Sequence, residues 1–316
     1  MNDSTSVAVP RRWTLHGLNN GLIFSATRRG VAILPRVASY GIGHVGTWIA
    51  WRTMATSRAA VADNLSAVFP GESRRALEGR ALEMFRSYAC DVIDFLRALS
   101  ASDSEAATLF HIPDRSLGLF EQLRAPGRGI ILVSGHFGNW EVGGVLFRML
   151  GVPLSVVAMT EADPKVNQIR REIRDQIGAK TIETRQSLDT ALQIRRELGA
   201  NKVVAMLIDR HYGRDRVGVT LFGRRAWFLR LPFVMGHATG APILPCTVER
   251  NSPGRFDICP SAPVYVATDI PRDEAIATAA QKIAEAVEER IRARPELWYT
   301  FYRYWDAQRD AYDGLD

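Results

Sequence analysis

Lysine is scarce in this chain: only Lys165, Lys180, Lys202 and Lys282 contribute to the 40 lysines and arginines, so arginine supplies nearly all the positive charge. Cysteine is scarcer still. Cys90, Cys246 and Cys259 are odd in number, scattered and without C-x-x-C spacing, which argues against a disulfide framework or a zinc site and fits a reducing compartment. No G-x-S-x-G pentapeptide occurs, so the strained nucleophile elbow of serine hydrolases is missing. There is no basic helix and no basic-aromatic repeat, which argues against nucleic acid as a partner. The first ten residues are polar and no A-x-A site follows a short apolar core, so no cleavable leader is expected. Internal repeats, low-complexity tracts and flexible linkers are also lacking.

What is present is an ordinary globular composition of 316 residues, 47% apolar and 23% charged. That length suits one large α/β domain with a helical lead-in. The net charge of +6 and a pI of about 9.5 favour an anionic partner: phosphate headgroups, an acidic carrier protein or a membrane surface.

One stretch organises the rest. Gly129-Ile130-Ile131-Leu132-Val133-Ser134 reads as a fully buried strand, and Gly135 then breaks it. His136 stands at the strand exit, and Glu141 follows five residues later as the chain turns apolar at helical spacing. Residues five apart on one helix are rotated by about 140° and cannot meet. With His136 in the loop and Glu141 in the first helical turn they can. The carboxylate would then fix the imidazole tautomer and leave the other ring nitrogen as a base. Gly135 and Gly138 would let the backbone bend and a substrate approach. The alternative is a polar loop histidine beside a carboxylate favoured by the helix dipole.

From Gly129 onward strands and helices alternate. Strands are expected at 130–134, 154–158, 180–182, 203–208, 243–248, 256–259 and 263–266. Helices are expected at 140–150, 164–177, 188–198, 232–239 and 273–294. The pattern predicts an α/β fold, a mostly parallel mixed sheet flanked by helices. Upstream, 58–69 is a helical run stopped by Pro70-Gly71, 73–99 a long amphipathic helix, and polar 100–106 a loop. Residues 31–51 are about long enough to span a bilayer, but they contain Arg36, His44 and several glycines. Arg11, Arg12, Arg28 and Arg29 would hold the preceding side in the cytoplasm. An interfacial or re-entrant anchor, with Trp13, Trp48 and Trp51 at headgroup depth, reconciles these charges; a buried helical hairpin is the alternative. The division expected is 1–57 as a membrane-associating helical segment and 58–316 as the α/β domain.

Polar residues gather again at expected strand ends. Arg170, Arg171 and Arg174 lie on the helix after Asp163-Pro164, and Asp209-Arg210-His211-Tyr212-Gly213 follows the strand at 203–208. His211 is expected to be exposed.

Gly135-His136-Phe137-Gly138-Asn139-Trp140-Glu141 resembles the H-x4-D/E block of glycerolipid acyltransferases. It is closest to the branch of the lipid A late acyltransferases (lauroyl and myristoyl transferases), which also contains acyltransferases of mycobacterial mannosylated phosphoinositides. The likeness runs from about residue 64 to 305. It takes in Asn64-Leu65-Ser66-Ala67-Val68-Phe69-Pro70, Asp209-x-x-Tyr212-Gly213, Val219-Thr220-Leu221-Phe222-Gly223, the stretch from Pro232 to Pro245, and Pro295-Glu296-Leu297-Trp298 with Arg303. One departure stands out. The family generally has threonine or serine and a glycine about one turn before the helix at 232–239, where this chain has Trp227-Phe228-Leu229-Arg230-Leu231. A wider apolar wall, or a surface dipping into the membrane, would account for it.

The resemblance implies transfer of an acyl group from acyl carrier protein or acyl-CoA to a hydroxyl of a membrane glycolipid. It implies a place at the cytoplasmic face of the bacterial inner membrane, usually with an amino-terminal membrane segment. The catalytic residues would be His136 as base and Glu141 as its orienting group, with backbone N–H groups near the helix start holding the oxyanion. Arg174, Asp209, Arg210, Tyr212, Asn139 and Gly138 would bind substrates. Neither a metal nor a cofactor is required. The alternatives are a lysophospholipid or phosphoinositide-mannoside acceptor, or a non-catalytic membrane-binding protein.

Overall fold

The computed structural model describes residues 27–31, 33–159, 164–184, 188–211 and 215–309. From the amino end come helices α1 (Arg36–Thr53), α2 (Ala55–Val68), α3 (Arg74–Leu99) and α4 (Asp103–Ala107). Next are β1 (Phe110–His111), α5 (Asp114–Arg124), β2 (Ile130–Ser134), α6 (Trp140–Met149), β3 (Leu154–Ala158), α7 (Pro164–Gln176), β4 (Lys180–Glu183), α8 (Leu188–Gly199) and β5 (Val203–Leu207). The hairpin of β6 (Arg216–Leu221) and β7 (Arg224–Leu229) follows, then α9 (Leu231–Thr239), β8 (Ile243–Ser252), β9 (Arg255–Pro260) and α10 (Arg272–Ala293). A 3-10 turn at Pro295–Leu297 leads to α11 (Tyr304–Arg309).

Seven strands form one sheet in the order β1-β9-β8-β2-β5-β3-β4. Every pairing is parallel except β8 with β9, so the expected α/β architecture is what the chain adopts. β-Branched and leucine-rich strands suit such a sheet because both faces are covered. Ile131, Val133, Val204 and Met206 pack into one core, while Ile130, Val203, Leu244 and Val142 belong to the other. The register fixes the site. Ser134 pairs with Leu207, so the residues two beyond each, His136 and Asp209, leave the sheet side by side.

Local structure departs from the sequence reading at three places. Segment 100–106 contains α4, started by a capping box in which the Ser102 hydroxyl accepts from the Glu105 N–H and the Glu105 carboxylate accepts from the Ser102 N–H. The 263–266 strand is reduced to a bridge between Val264 and Ile243. Residues 216–229 form an antiparallel hairpin, with Phe222 and Gly223 both at positive φ as a type I′ turn requires. Phe228 and Leu229 of that hairpin are buried, so the bulky apolar run builds core instead of a surface dipping outward.

α1 packs along α3, with the Tyr40 hydroxyl donating to Asp94 Oδ2 at 2.5 Å and Arg36 Nε 3.3 Å from Asp94 Oδ1. Its outer face carries Val37, Ile42, Val45, Trp48 and Ile49, each between 50% and 85% exposed. No described helix is long and apolar enough to cross a membrane.

One turn before Asp94 on α3, buried Asp91 ties several elements together. It accepts from Arg250 Nε at 2.8 Å and from the Tyr299 hydroxyl at 2.5 Å, and its main-chain carbonyl accepts from Asn139 Nδ2 at 2.8 Å. Burial pushes the Asp91 carboxyl up to about 6 against the pull of Arg250 and Tyr299. Removing one member of a buried pair strands the other. Asp91→Ala is therefore expected to lower unfolding free energy by roughly 3–5 kcal/mol, measured by equilibrium denaturation. A loss below about 1 kcal/mol, the range of exposed pairs, would show that the cluster is peripheral to stability.

Candidate active site

The loop after β2 is held rigid by its own backbone. The Tyr299 N–H donates to the His136 carbonyl at 2.9 Å, the Gly138 N–H to Leu297 at 2.9 Å and the Asn139 N–H to Val248 at 2.7 Å. Gly138 has φ +62°, and a Cβ there would collide with the Val248 carbonyl oxygen. The close approach that needs this glycine is thus one of protein to protein. Asn139 likewise spends its side-chain amide on the Asp91 carbonyl and sits buried.

His136 Nδ1 lies 2.7 Å from Asp209 Oδ1, and its main-chain N–H donates to Asp209 Oδ2 at 2.8 Å. The hydrogen bond expected from Glu141 therefore comes from Asp209, a residue 73 positions away. Gly135 makes room for it: a Cβ at this position would stand 3.3 Å from the Asp209 carboxylate. Asp209 is 2% exposed, so its carboxylate stays charged by accepting from the imidazole and amide. An accepting carboxylate assigns the proton to Nδ1 and leaves the Nε2 lone pair available.

Burial holds the His136 imidazole below the ordinary histidine range, with the charge of Arg210 adding to it and Asp209 opposing. Burial acts in the opposite direction on Asp209, but the charge and hydrogen bonds of His136 outweigh it and keep that carboxyl low. At neutral pH the pair is an uncharged imidazole on a carboxylate. Trp140 packs edge-on against the ring at 5.2 Å.

Beside this pair opens a cavity of about 360 Å³ between one face of the sheet and helix α6. His136, Glu141, Arg170, Arg174 and Arg210 border it at the carboxyl edge of the strands. Most of its remaining wall is apolar, including Leu132, Leu154, Ile173, Leu146, Phe147 and Phe120. Glu141 faces Arg170 at 3.8 Å; burial raises its carboxyl, while Arg170 and Arg174 pull it down. Arg170 thus joins Arg174 at the cavity, whereas Arg171 turns away to Glu183 at 2.5 Å. Arg210 donates from Nε to the Tyr302 hydroxyl at 3.2 Å with its guanidinium 5.1 Å from that ring. His211, expected to be exposed, is 5% exposed. Tyr212 lies outside the described residues.

Tyr88 and Ser134 line the cavity, though neither is among the site residues expected from the sequence. Tyr88 of α3 was hidden in an apolar stripe of helical period; it borders the cavity, and burial pushes its phenol up to about 12. Ser134 also borders it, with a buried hydroxyl that has no hydrogen-bond partner among the described residues.

The sequence model of the bacterial lipid A biosynthesis acyltransferases matches residues 1–307. The chain belongs to this family. Among curated proteins, the phosphatidylinositol mannoside acyltransferase of Mycobacterium tuberculosis (strain ATCC 25618 / H37Rv) is 26% identical over 198 residues. The match covers 61% of this chain and 60% of that protein's length. The protein of the same name from strain CDC 1551 / Oshkosh matches at the same identity and coverage.

The geometry sets the pH behaviour of any reaction that needs Nε2 unprotonated. The acid limb of kcat/KM is expected below the ordinary histidine value of about 6.5, with a flat profile across neutrality. Asp209 supports the protonated ring, so Asp209→Asn should move this limb to still lower pH. The plateau should fall roughly 10²–10⁴-fold as the tautomer is lost. A limb that stays in place after Asp209→Asn would uncouple the two residues.

Proposed function

We propose that this protein moves a fatty acyl group from a thioester to a hydroxyl of a membrane glycolipid. The observation that carries the reading is the polarity of the cavity. A histidine and three arginines border a cavity whose wall is otherwise mostly apolar, which matches an amphiphile with a reactive carbonyl at its head. A buried paired base and family membership support the same conclusion.

In the proposed reaction His136 Nε2 removes the acceptor hydroxyl proton as the oxygen attacks the thioester carbonyl. Asp209 holds the ring through Nδ1–H and stabilises the imidazolium that forms. The tetrahedral oxyanion needs donors aimed at it. The amides of His136, Gly138, Asn139 and Val142 are already committed within the protein, so the Trp140 and Glu141 amides at the start of α6 and the arginine cluster would fill this role. Collapse breaks the carbon–sulfur bond, and the imidazolium returns its proton to the thiolate. Arg174 and Arg210 would grip phosphates of donor or acceptor at two points. The donor is acyl carrier protein or acyl-CoA, and the chain's own residues suffice without a metal or cofactor. The acceptor is a lipid A precursor or, following the mycobacterial relative's name, a mannosylated phosphoinositide.

The exposed stripe of α1 supports docking at the cytoplasmic face of the inner membrane. Apolar side chains would enter the headgroup boundary, and Arg52, stacked 4.8 Å over Trp48, would meet anionic lipid.

A labelled acyl donor offered with total membrane lipid tests the chemistry. His136→Ala should cut turnover roughly 10²–10⁴-fold with the fold intact, and near-wild-type turnover would reject the mechanism. Arg174→Lys should raise the donor KM, and Arg171→Lys should not; equal responses would reduce the arginines to net charge. Flotation with anionic vesicles tests the docking: binding should survive high salt in part and weaken on Trp48→Ser. A protein that ignores such vesicles would leave the exposed stripe unexplained.

A further inference from the structure

Arg170 and Arg210 both border the cavity, yet different chemistry steadies them. Arg170 faces the Glu141 carboxylate at 3.8 Å, so part of its charge is answered within the protein. Arg210 instead donates from Nε to the Tyr302 hydroxyl oxygen at 3.2 Å, and its guanidinium carbon lies 5.1 Å from the centre of the same ring. One side chain thus supplies both a hydrogen bond and an aromatic contact to the cation. A phenol orients a guanidinium without neutralising it, whereas a carboxylate does both. The neighbouring Asp209 carboxylate is occupied by the imidazole and amide of His136.

Tyr302 is itself fixed from behind. Asn64 Nδ2 donates to the Tyr302 main-chain carbonyl at 2.7 Å and to that of Thr300 at 3.2 Å, and Asn64 Oδ1 accepts from the Tyr304 N–H at 3.0 Å. Asn64 lies on α2 and is 2% exposed, so this clamp is part of the core. Two residues beyond Tyr302, the Tyr304 hydroxyl donates to the Asp209 carbonyl at 3.2 Å. Alternate tyrosines of one segment therefore hold consecutive residues of another, Tyr304 the backbone at Asp209 and Tyr302 the side chain of Arg210. The first contact secures the acid that orients the base. The second secures a cation beside the cavity.

We propose that Tyr302 is a positioning residue for the transfer reaction: it aims the Arg210 guanidinium, with its charge intact, at a phosphate group of the substrate. The inference rests on the acyltransferase reading above and adds the residue on which its phosphate grip depends. An unrestrained arginine gives up side-chain freedom at every binding event, and the contact with Tyr302 moves that loss to folding. With Nε engaged by the phenol, a two-point grip on phosphate falls to the terminal nitrogens.

The test uses the full chain with a labelled acyl donor, acyl-coenzyme A or acyl carrier protein, and total membrane lipid as acceptor, each varied in turn. Tyr302→Phe removes one oxygen and keeps the ring; Tyr302→Leu removes both contacts. Tyr302→Phe should raise one KM roughly tenfold, the scale of a hydrogen bond to a charged group, with kcat and melting temperature little changed. Tyr302→Leu should raise the same KM further. A rise in the donor KM puts the phosphate on the donor, and a rise in the acceptor KM puts it on the lipid; either supports the role. In an Arg210→Lys background, Tyr302→Phe should add less than about twofold, because the contact it removes is already gone. A residue that served only packing would act alike in both backgrounds. If Tyr302→Leu does not fold, the phenylalanine variant decides. A wild-type protein without transfer would overturn the acyltransferase reading, and this inference with it. Transfer with both KM values unmoved by Tyr302→Phe, or moved equally in the Arg210→Lys background, would overturn the positioning role alone.

Discussion

The arrangement at the carboxyl edge of the sheet depends on one carboxylate that answers two donors of the same residue. Asp209 accepts from both the ring and the main-chain amide of His136, so it fixes the side chain and the backbone that carries it. Parallel pairing makes this possible. Neighbouring parallel strands end at the same edge, and the offset that pairs Ser134 with Leu207 delivers His136 and Asp209 together. Two flexible loops would have to lose conformational freedom to reach this geometry; two strand ends arrive with it already lost.

Behind the loop lies a second, wholly structural set of polar contacts. Asp91 gathers Arg250, Tyr299 and Asn139, and Asp94 carries the same theme to Tyr40 and Arg36 on α1. All of these residues but Asn139 are charged or phenolic and could be mistaken for chemistry. Their partners distinguish them. The carboxylates are used up on protein groups, whereas His136, Arg170 and Arg174 border the cavity. Asn139 and Gly138, expected at the substrate, belong to this scaffold too.

The strands at 130–134 and 154–158 were legible to the residue, the first from a run of isoleucine, leucine and valine between Gly129 and Gly135, the second from a short apolar run opened by Gly151 and Pro153. The 216–229 hairpin was not. Arg216, Arg224 and Arg225 break its apolar alternation, two of them lying over the Trp227 ring, and Phe222-Gly223 supplies a turn without the usual asparagine. His136 stood out as the centre of a site only through its neighbours in sequence, and that same locality misassigned its partner. Glu141 is close along the chain, while Asp209 is close in space through a pairing register that a single sequence does not display. Nor could spacing show that Arg170 and Arg171, adjacent on one helix, face opposite surroundings.

The segment around Leu297 to Tyr304 has a consequence for biosynthesis. Its backbone receives the Gly138 N–H and supplies the Tyr299 N–H to His136, and its hydroxyl at Tyr304 caps the Asp209 carbonyl. Asn64 anchors it through the carbonyls of Thr300 and Tyr302. Translation produces the base and its carboxylate long before this strap, and domains assemble from the amino end as the chain emerges. A nascent or truncated polypeptide that ends before the strap holds both His136 and Asp209 but lacks the frame that aligns them. Alignment of His136 with Asp209 then waits on synthesis of the strap, so products interrupted before it would carry the pair unaligned.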